Sequence, residues 1–440
     1  MARRPRLLTI LQVYWVILII YGELGIFYQE IYRCKSQSIQ KVPKLNEVYR
    51  RVAIITDPQI VDNYSYGHTG LRLYLEQFFT DLNLRKTFSF MQISTRPDVI
   101  VNIGDLMDGG REWSDLDIWS KEYARYRSIF VNRYPESCSM YEMVGNHDIG
   151  IGASIVESAA SRLKSLIGPS TREIRAGDHL LVLLDTISLE SPKQSIRREA
   201  EELLNKYKNA LPSSPVLLFS HVPLWRPPMT DCGELYQGKK NYLSDIHGYQ
   251  YHNLLSKNTT EDILQKLQPS MIFSGDDHDT CIVNHHIKNG RLVEEHTVGT
   301  LSWAGGVPKT SFVLMNLYKT NGQMASLHDP SATFDVTHCF LPWQLGIYIT
   351  YIVSLVATFV ILTLLSLSQS CHHTSSSPDE DPTTYIPVND KDDADEVKPK
   401  RQQLSGRWSR LAKYLGRSML KISVYPILSF ILCLFITHYF

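Results

Sequence analysis

An α/β domain held between membrane-spanning helices is what this 440-residue chain encodes. Apolar runs of strand length alternate with helical patterns through its middle, and three longer apolar stretches lie outside that region. Five of the strands, moreover, run out into side chains of metal-ligating type. Alternation of this kind builds a sheet with helices on its faces. In such folds, ligands collect at the carboxyl ends of the strands.

The outer stretches come first. A helix needs about 20 apolar residues to cross a bilayer. "LLTILQVYWVILIIYGELGIFY" (7–28) follows the basic start "MARRPR". With no small-residue cleavage site after it, it is expected to remain as an anchor. The second stretch, 341–367, carries no charge, and the third, 422–440, is short and holds Pro426, so it is expected to span or to re-enter. Arg3, Arg4 and Arg6 precede the first stretch, while Arg407, Arg410, Lys413, Arg417 and Lys421 precede the third. Basic flanks stay in the cytoplasm. The expected layout is therefore a cytoplasmic N-terminus (1–6), a lumenal domain (29–340) and a cytoplasmic loop (368–421) between the second and third stretches. That loop is acidic and rich in Pro and Ser, which predicts disorder.

Two sequons, Asn63-Tyr-Ser and Asn258-Thr-Thr, fall in the lumenal part, where glycosylation takes place. Cys34, Cys138, Cys232, Cys281 and Cys339 fall there too and allow one or two disulfides, with the pairing left open. Lys+Arg and Asp+Glu balance at 45 each, so no overall field draws in nucleic acid, and none is expected as a partner.

Within the domain, "RVAIIT" (51–56) is the first strand and stops at Asp57. Apolar residues spaced by three and four predict a helix over 71–84. "PDVIVNIGD" ends at Asp105, a helix is expected over 117–134, and "MYEMVGNHD" runs to Asn146. "HLLVLLD" is a fourth strand, followed by the amphipathic "SIRREAEELLNKYKNAL". "PVLLFSH" delivers His221. A helix over 260–267 leads into "SMIFSGDDH", which delivers Asp276, Asp277 and His278. Asn289-Gly290 and Asn321-Gly322 mark two closing hairpins. Carboxylates at a strand end gain nothing from a core and repel one another, so either solvent screens them or a cation sits between them.

In order, "TDPQ", "GDLMDGG", "GNHDIG", "SHVPLW" and "GDDHD" resemble the five blocks of the calcineurin-like metallophosphoesterases, across 51–279. The resemblance implies an αββα four-layer sandwich with two divalent ions at the strand ends. Such a pair clamps the attacking and leaving oxygens of a displacement at phosphorus and makes water acidic enough to attack. By the same resemblance Asp105 bridges the ions, Asp57 and His278 hold one, and Asn146, His221 and Asp276 hold the other. Gln59 stands at a further ligand position. His147 would donate to the phosphoryl oxygen or the leaving group, with Asp148 orienting its ring.

Two blocks depart from the family pattern. Where Asp-x-His is usual the chain has Asp57-Pro58-Gln59, and where Gly-His-x-His is usual it has Gly275-Asp276-Asp277-His278. Asp276 is assigned over Asp277 by counting positions. Two imidazoles are thus exchanged for oxygen donors, one at each ion, which suits Mn²⁺ or Mg²⁺ better than Zn²⁺. Mn²⁺ is expected. These variants, with "SWAGGVP" (302–308), resemble the fungal branch of membrane metallophosphoesterases of the endoplasmic reticulum. Those enzymes remove an ethanolamine-phosphate branch from a mannose of glycosylphosphatidylinositol (GPI) anchors during export. The implied partners are the GPI glycolipid or GPI-anchored proteins, and the bilayer. Trp225, Arg226 and Trp303, with Trp113 and Lys309, are candidates for a substrate rim. A phosphatase for another lipid or soluble phosphoester, and a non-catalytic cargo-sorting protein, are the other readings the residues allow.

Overall fold

The computed structural model describes residues 3–41, 48–131, 133, 135–209, 211–249, 251–287, 290–319, 333–372 and 400–439. Their strands are β1 (Val48–Ile55), β2 (Val99–Asn102), β3 (Ser139–Glu142), β4 (Arg172–Ala176), β5 (His179–Leu183), β6 (Val216–Phe219), β7 (Met271–Ser274), β8 (Cys281–His286), β9 (Leu292–Thr297), β10 (Ser311–Tyr318) and β11 (Phe334–Phe340). One sheet has the order β11-β10-β1-β2-β3 and the other β4-β5-β6-β7-β9-β8. Pairing is parallel from β1 to β3 and from β5 through β7 to β9. Successive strands in these runs therefore end on the same edge.

The helices are α1 (Arg3–Ile20) and α2 (Ile26–Lys41), joined by a π turn at Tyr21–Gly25, then α3 (Asn63–Tyr66), α4 (Gly70–Thr95), α5 (Leu116–Ile129), α6 (Asn146–Ile149), α7 (Glu157–Ile167), α8 (Thr186–Leu189), α9 (Gln194–Asn209), α10 (Lys257–Leu267), α11 (Gln344–His372) and α12 (Lys400–Tyr439). Strand side chains alternate between faces, and the two cores follow that rule. Val52, Ile54, Val101, Leu181, Leu217, Phe219 and Phe273 pack between the sheets. Ala53, Ile55, Ile100, Val182 and Leu218 face the other way, against helix residues such as Ile31, Phe88, Ala200, Leu204 and Ile263. The result is the αββα sandwich. Each buried Leu, Ile or Phe contributes on the order of 1.5–3 kcal/mol.

Several elements differ from their sequence reading. The helix expected over 71–84 continues to Thr95 and stops where Arg96 takes a left-handed conformation, its N–H bonded to the Gln92 carbonyl. The helix expected to reach 134 ends at Ile129, where Phe130 turns into the core against Phe88, ring centroids 5.0 Å apart. The strand expected to run to Asn146 ends at Glu142, and Asn146 opens the short α6 instead. β4 is polar and unannounced; it forms because its backbone pairs antiparallel with β5 at the sheet edge. Both closing hairpins are present as β8–β9 and β10–β11 pairs, although Asn289 and Asn321-Gly322 lie outside the described residues.

Three helical stretches are long and apolar enough to cross a membrane: Arg6–Gln40, Gln344–Leu367 and Leu411–Thr437. The first runs well past residue 28, because helical spacing of Phe27, Ile31 and Cys34 carries it onto the domain core. Residues 400–421, expected within a disordered loop, belong to α12; Leu404, Trp408, Leu411 and Leu415 keep a helical repeat there. Pro426 lies inside that helix. The rest of the loop, 373–399, falls outside the described residues. By contact the chain forms two units, one of 1–23 with 345–435 and one of 24–344 with 436–440. In the first, Trp15 donates to Thr358 Oγ1 at 3.1 Å and Tyr351 donates to Glu23 at 3.0 Å. The second holds the disulfides Cys34–Cys339 and Cys232–Cys281, while Cys138 stays a buried thiol.

Candidate metal centre

Past the last residue of each parallel strand the backbone turns sharply to keep a polar side chain at the sheet edge. Asp57, Gln59, Asp105, Asp276 and His278 all adopt positive φ, at 48°, 33°, 54°, 64° and 68°. Non-glycine residues seldom do so, and each such residue costs about 1–3 kcal/mol unless its surroundings hold it there. Two glycines make the close approach feasible. Gly104 has φ 125°, and a Cβ on Gly145 would lie 1.9 Å from Asp105 Oδ1.

The strand ends bring distant residues together. Ligand atoms of Asp57, Asp105 and His221 all lie within 4.8 Å of one another, and all three residues are buried. His221 Nε2 is 2.9 Å from Asn146 Oδ1, 3.3 Å from Asp105 Oδ1 and 3.7 Å from Asp276 Oδ1. The Asp276 N–H donates to Asp57 Oδ2 at 3.1 Å. His278 donates from Nδ1 to the Gly305 carbonyl at 3.0 Å, which leaves its Nε2 on the opposite edge of the ring. Gln59 also enters the site, but its Nε2 donates to Asp105 Oδ2 at 2.8 Å. It acts here as a support for Asp105.

The donor set fits divalent cations. His221 Nδ1 donates to the Ile103 carbonyl at 2.9 Å, so a neutral imidazole presents a lone pair at Nε2. That lone pair points among oxygens of Asn146, Asp105 and Asp276, which carry lone pairs themselves. Asp57 Oδ1 is buried with no hydrogen-bond partner. Such an arrangement is repulsive until positive charge is placed in it, either a proton on His221 Nε2 or a cation in its stead. Burial, and after it the charge of Asp105, raises the pKa of Asp57 against the pull of His221 and His278. Burial pushes Asp276 up to about 7, opposed by His221 and helped by Asp105 and Asp57. For His221, burial disfavours the charged ring, yet Asp105, Asp57 and Asp276 outweigh it and push the group up to about 10.

His147 stands at the rim with a 20% exposed side chain. Its Nδ1 donates to the Asp108 carbonyl at 2.8 Å and lies 3.1 Å from Asp108 Oδ1. The expectation that Asp148 orients this ring is corrected here. Asp148 is buried and accepts from the backbone N–H groups of Leu106, Met107 and Gly145 at 2.9–3.2 Å, so it fixes the turn that carries Asp105. Asp108 takes the orienting place because three backbone donors already claim the Asp148 carboxylate.

The rim candidates separate. Arg226 is buried and paired with wholly buried Glu295 at 3.0 Å, so it is a core residue and not part of a rim. Trp225 is half-buried, with Lys257 Nζ over its ring at 5.0 Å. Trp303 is half-buried two residues before Gly305, whose carbonyl orients His278. The Trp113 indole donates to Asp62 at 2.8 Å, and Lys309 is exposed. Asp277 is half-buried and its pKa is raised, first by desolvation and then by Asp276 and Asp279. Asp279 accepts from the Gln237 N–H at 2.7 Å and is structural.

Two residues went unassigned in the sequence reading. Asp108 had a signal in the Asp-x-x-Asp spacing of "GDLMD". Arg111 had none. Its buried guanidinium donates to the Asn146 carbonyl at 3.3 Å and packs on the Tyr249 ring at 4.7 Å, holding the ligand turn from behind.

Comparison with known proteins agrees with this geometry. The family model described as calcineurin-like phosphoesterase matches residues 50–280. The chain is 32% identical to cell division control protein 1 of Saccharomyces cerevisiae over 346 residues, 77% of this chain and 70% of that protein. It is 25% identical to metallophosphoesterase 1 of Xenopus laevis, covering 83% of this chain and 91% of that one. With the metallophosphoesterase 1 homolog of Caenorhabditis elegans the identity is 24%, over 68% of this chain and 80% of the relative.

Proposed function

From a chain that belongs to the calcineurin-like phosphoesterase family and is a metal-dependent phosphoesterase, we infer a phosphodiesterase of the endoplasmic reticulum membrane. Its substrate is the ethanolamine-phosphate side branch on a mannose of GPI anchors, which it removes to remodel them for export. The observation that carries this reading is the buried Asp57–Asp105–His221 cluster in a domain bounded on both sides by apolar helices. The Asp57-Pro58-Gln59 and Asp276-Asp277-His278 variants and the likeness to the yeast protein support the branch. Two disulfides support an oxidising, lumenal compartment for the domain. Asn63 and Asn258 are exposed there, as glycan acceptors need to be.

Asp57, Asp105 and His278 would hold one divalent ion, and Asp105, Asn146, His221 and Asp276 the other; we take both to be Mn²⁺ because oxygen donors dominate. When bound, such ions supply Lewis acidity and an activated water. His147, kept protonated by Asp105 and held by Asp108, donates toward the phosphoryl oxygen or the departing sugar oxygen. Gln59 and the His147 N–H fix Asp105 from two sides.

The test uses the full chain, stripped of metal and reloaded with Mn²⁺ or Zn²⁺. Mn²⁺ protein should release ethanolamine phosphate from labelled anchor glycolipid, and Asp105→Ala should lower the rate by about a thousand-fold or more. Hydrolysis of monoesters alone would replace the substrate reading. Equal turnover with Zn²⁺ would remove the Mn²⁺ assignment.

A further inference from the structure

The loop that follows β6 ends in a small hairpin before α10. There the Gly248 N–H donates to the Tyr251 carbonyl at 2.8 Å, and the Asn253 N–H to the Ile246 carbonyl at 3.1 Å. Between these two bonds His247 and His252 face each other as an antiparallel bridge. A pair flanked in this way exchanges no backbone hydrogen bond, and its side chains stand closest together on one face. The two imidazoles accordingly meet with ring centroids 4.4 Å apart. Asp245, two residues before His247, falls on the same face. Its Oδ1 lies 2.8 Å from His247 Nε2.

Two imidazoles so placed repel each other once both are protonated. Burial lowers the pKa of His252, and His247 lowers it further, against Glu190 and Asp245. Among the described residues no hydrogen bond occupies the ring nitrogens of His252. A metal ion takes an imidazole in its neutral form and a carboxylate in its charged form. Two imidazoles with a carboxylate suit Zn²⁺, whereas oxygen donors dominate at the strand ends. Ligand atoms of a tetrahedral zinc ion stand about 3.3 Å apart, from bonds of about 2.0–2.1 Å. Asp245 and His247 therefore need to open by only about 0.5 Å. Their side chains are 43% and 51% exposed, so little packing opposes that shift.

The hairpin touches the turn that carries the catalytic ligands. Tyr249, between the two histidines, packs on the Arg111 guanidinium at 4.7 Å, and Arg111 donates to the Asn146 carbonyl at 3.3 Å. A Cβ on Gly152, just beyond α6, would lie 3.7 Å from His252 Cε1. We propose that Asp245, His247 and His252 bind one Zn²⁺ ion, separate from the pair at the strand ends, and that it staples the hairpin beside the Asn146 turn. The site does not depend on which phosphoester the enzyme cleaves.

The experiment strips the full chain of metal, saturates it with Mn²⁺, adds Zn²⁺ and counts the ions retained after desalting. The unsubstituted chain is expected to keep one zinc ion more than the double variant His247→Ala, His252→Ala. The difference between their zinc-edge X-ray absorption spectra should show imidazole nitrogen at about 2.0–2.1 Å. In a second arm, zinc affinity is read by competition with a chromogenic chelator. His252→Asn alone should weaken binding of the extra ion by about ten-fold or more. This arm keeps the test open if the double variant fails to fold. Equal zinc content in the double variant and the unsubstituted chain overturns the proposal, as does an affinity that His252→Asn leaves unchanged. A chain that holds this zinc through its two histidines but takes up no Mn²⁺ would uphold the hairpin site and remove only the phosphoesterase centre.

Discussion

His147 meets two opposing influences. Burial disfavours a charged imidazole, yet Asp105 and then Asp108 outweigh it and push the group up to about 10. The donating form is thus present at neutral pH and is lost only as pH rises through that value. His147→Gln should lower kcat by about 10²–10⁴-fold with little change in KM. Asp108→Asn removes one stabilising charge, so the alkaline limb of the kcat profile should move to lower pH. A limb that stays in place would mean that Asp108 only packs against the ring. His147 was legible in "GNHD" because the residue type and its neighbours announce the chemistry. Its partner was not: Asp108 and Asp148 are both aspartates near the same turn, and only the fold decides which carboxylate the backbone has already claimed.

At the scale of elements, β9 threads a carboxylate through the core. Glu295 accepts from Ser274 Oγ at 2.7 Å and from the Leu224 N–H at 3.0 Å, and pairs with Arg226 and with His285 at 2.6 Å. It thereby ties the loop after β6 to β7, β8 and β9. Burial would raise its pKa, but Arg226 and His285 hold it down at about 2. Because the folded value is depressed, its stabilisation is complete above the ordinary value near 4.5. It fades as pH falls through about 2, and amounts to roughly 3 kcal/mol. Urea unfolding at pH 6 and pH 3 should show the loss, and Glu295→Gln should remove that difference. Arg226→Met should cost about 3–5 kcal/mol by stranding the carboxylate. A raised KM with an unchanged unfolding midpoint would instead return Arg226 to the substrate rim. "SHVPLWR" gave no sign of this burial, since the partner lies 69 positions downstream on an acidic-looking strand.

On the scale of the molecule, Cys34–Cys339 closes a loop with a sequence separation of 305 and ties α2 to β11, the two ends of the domain. A bond spanning so much chain restricts the unfolded state and contributes about 2–5 kcal/mol. Cys34→Ser should lower the urea midpoint while hydrolysis of a soluble phosphodiester persists. An unchanged midpoint would show that α2 is held by Phe27 and Ile31 alone. The same bond, with the apolar helices beyond each end, makes the domain a body whose two ends are fixed close together.

Sequence alone determined the alternation of strands and helices, the apolar stretches and the order of Asp57, Asp105, Asn146, His221 and His278. Those features are local: an apolar run and the residue that ends it are neighbours in the chain. The tertiary structure decided which aspartate orients His147, that Arg226 is a core cation and how four of the five cysteines at 34, 138, 232, 281 and 339 pair. Each of these depends on residues far apart in sequence meeting in space, and a contact of that kind leaves no periodicity or spacing along the chain.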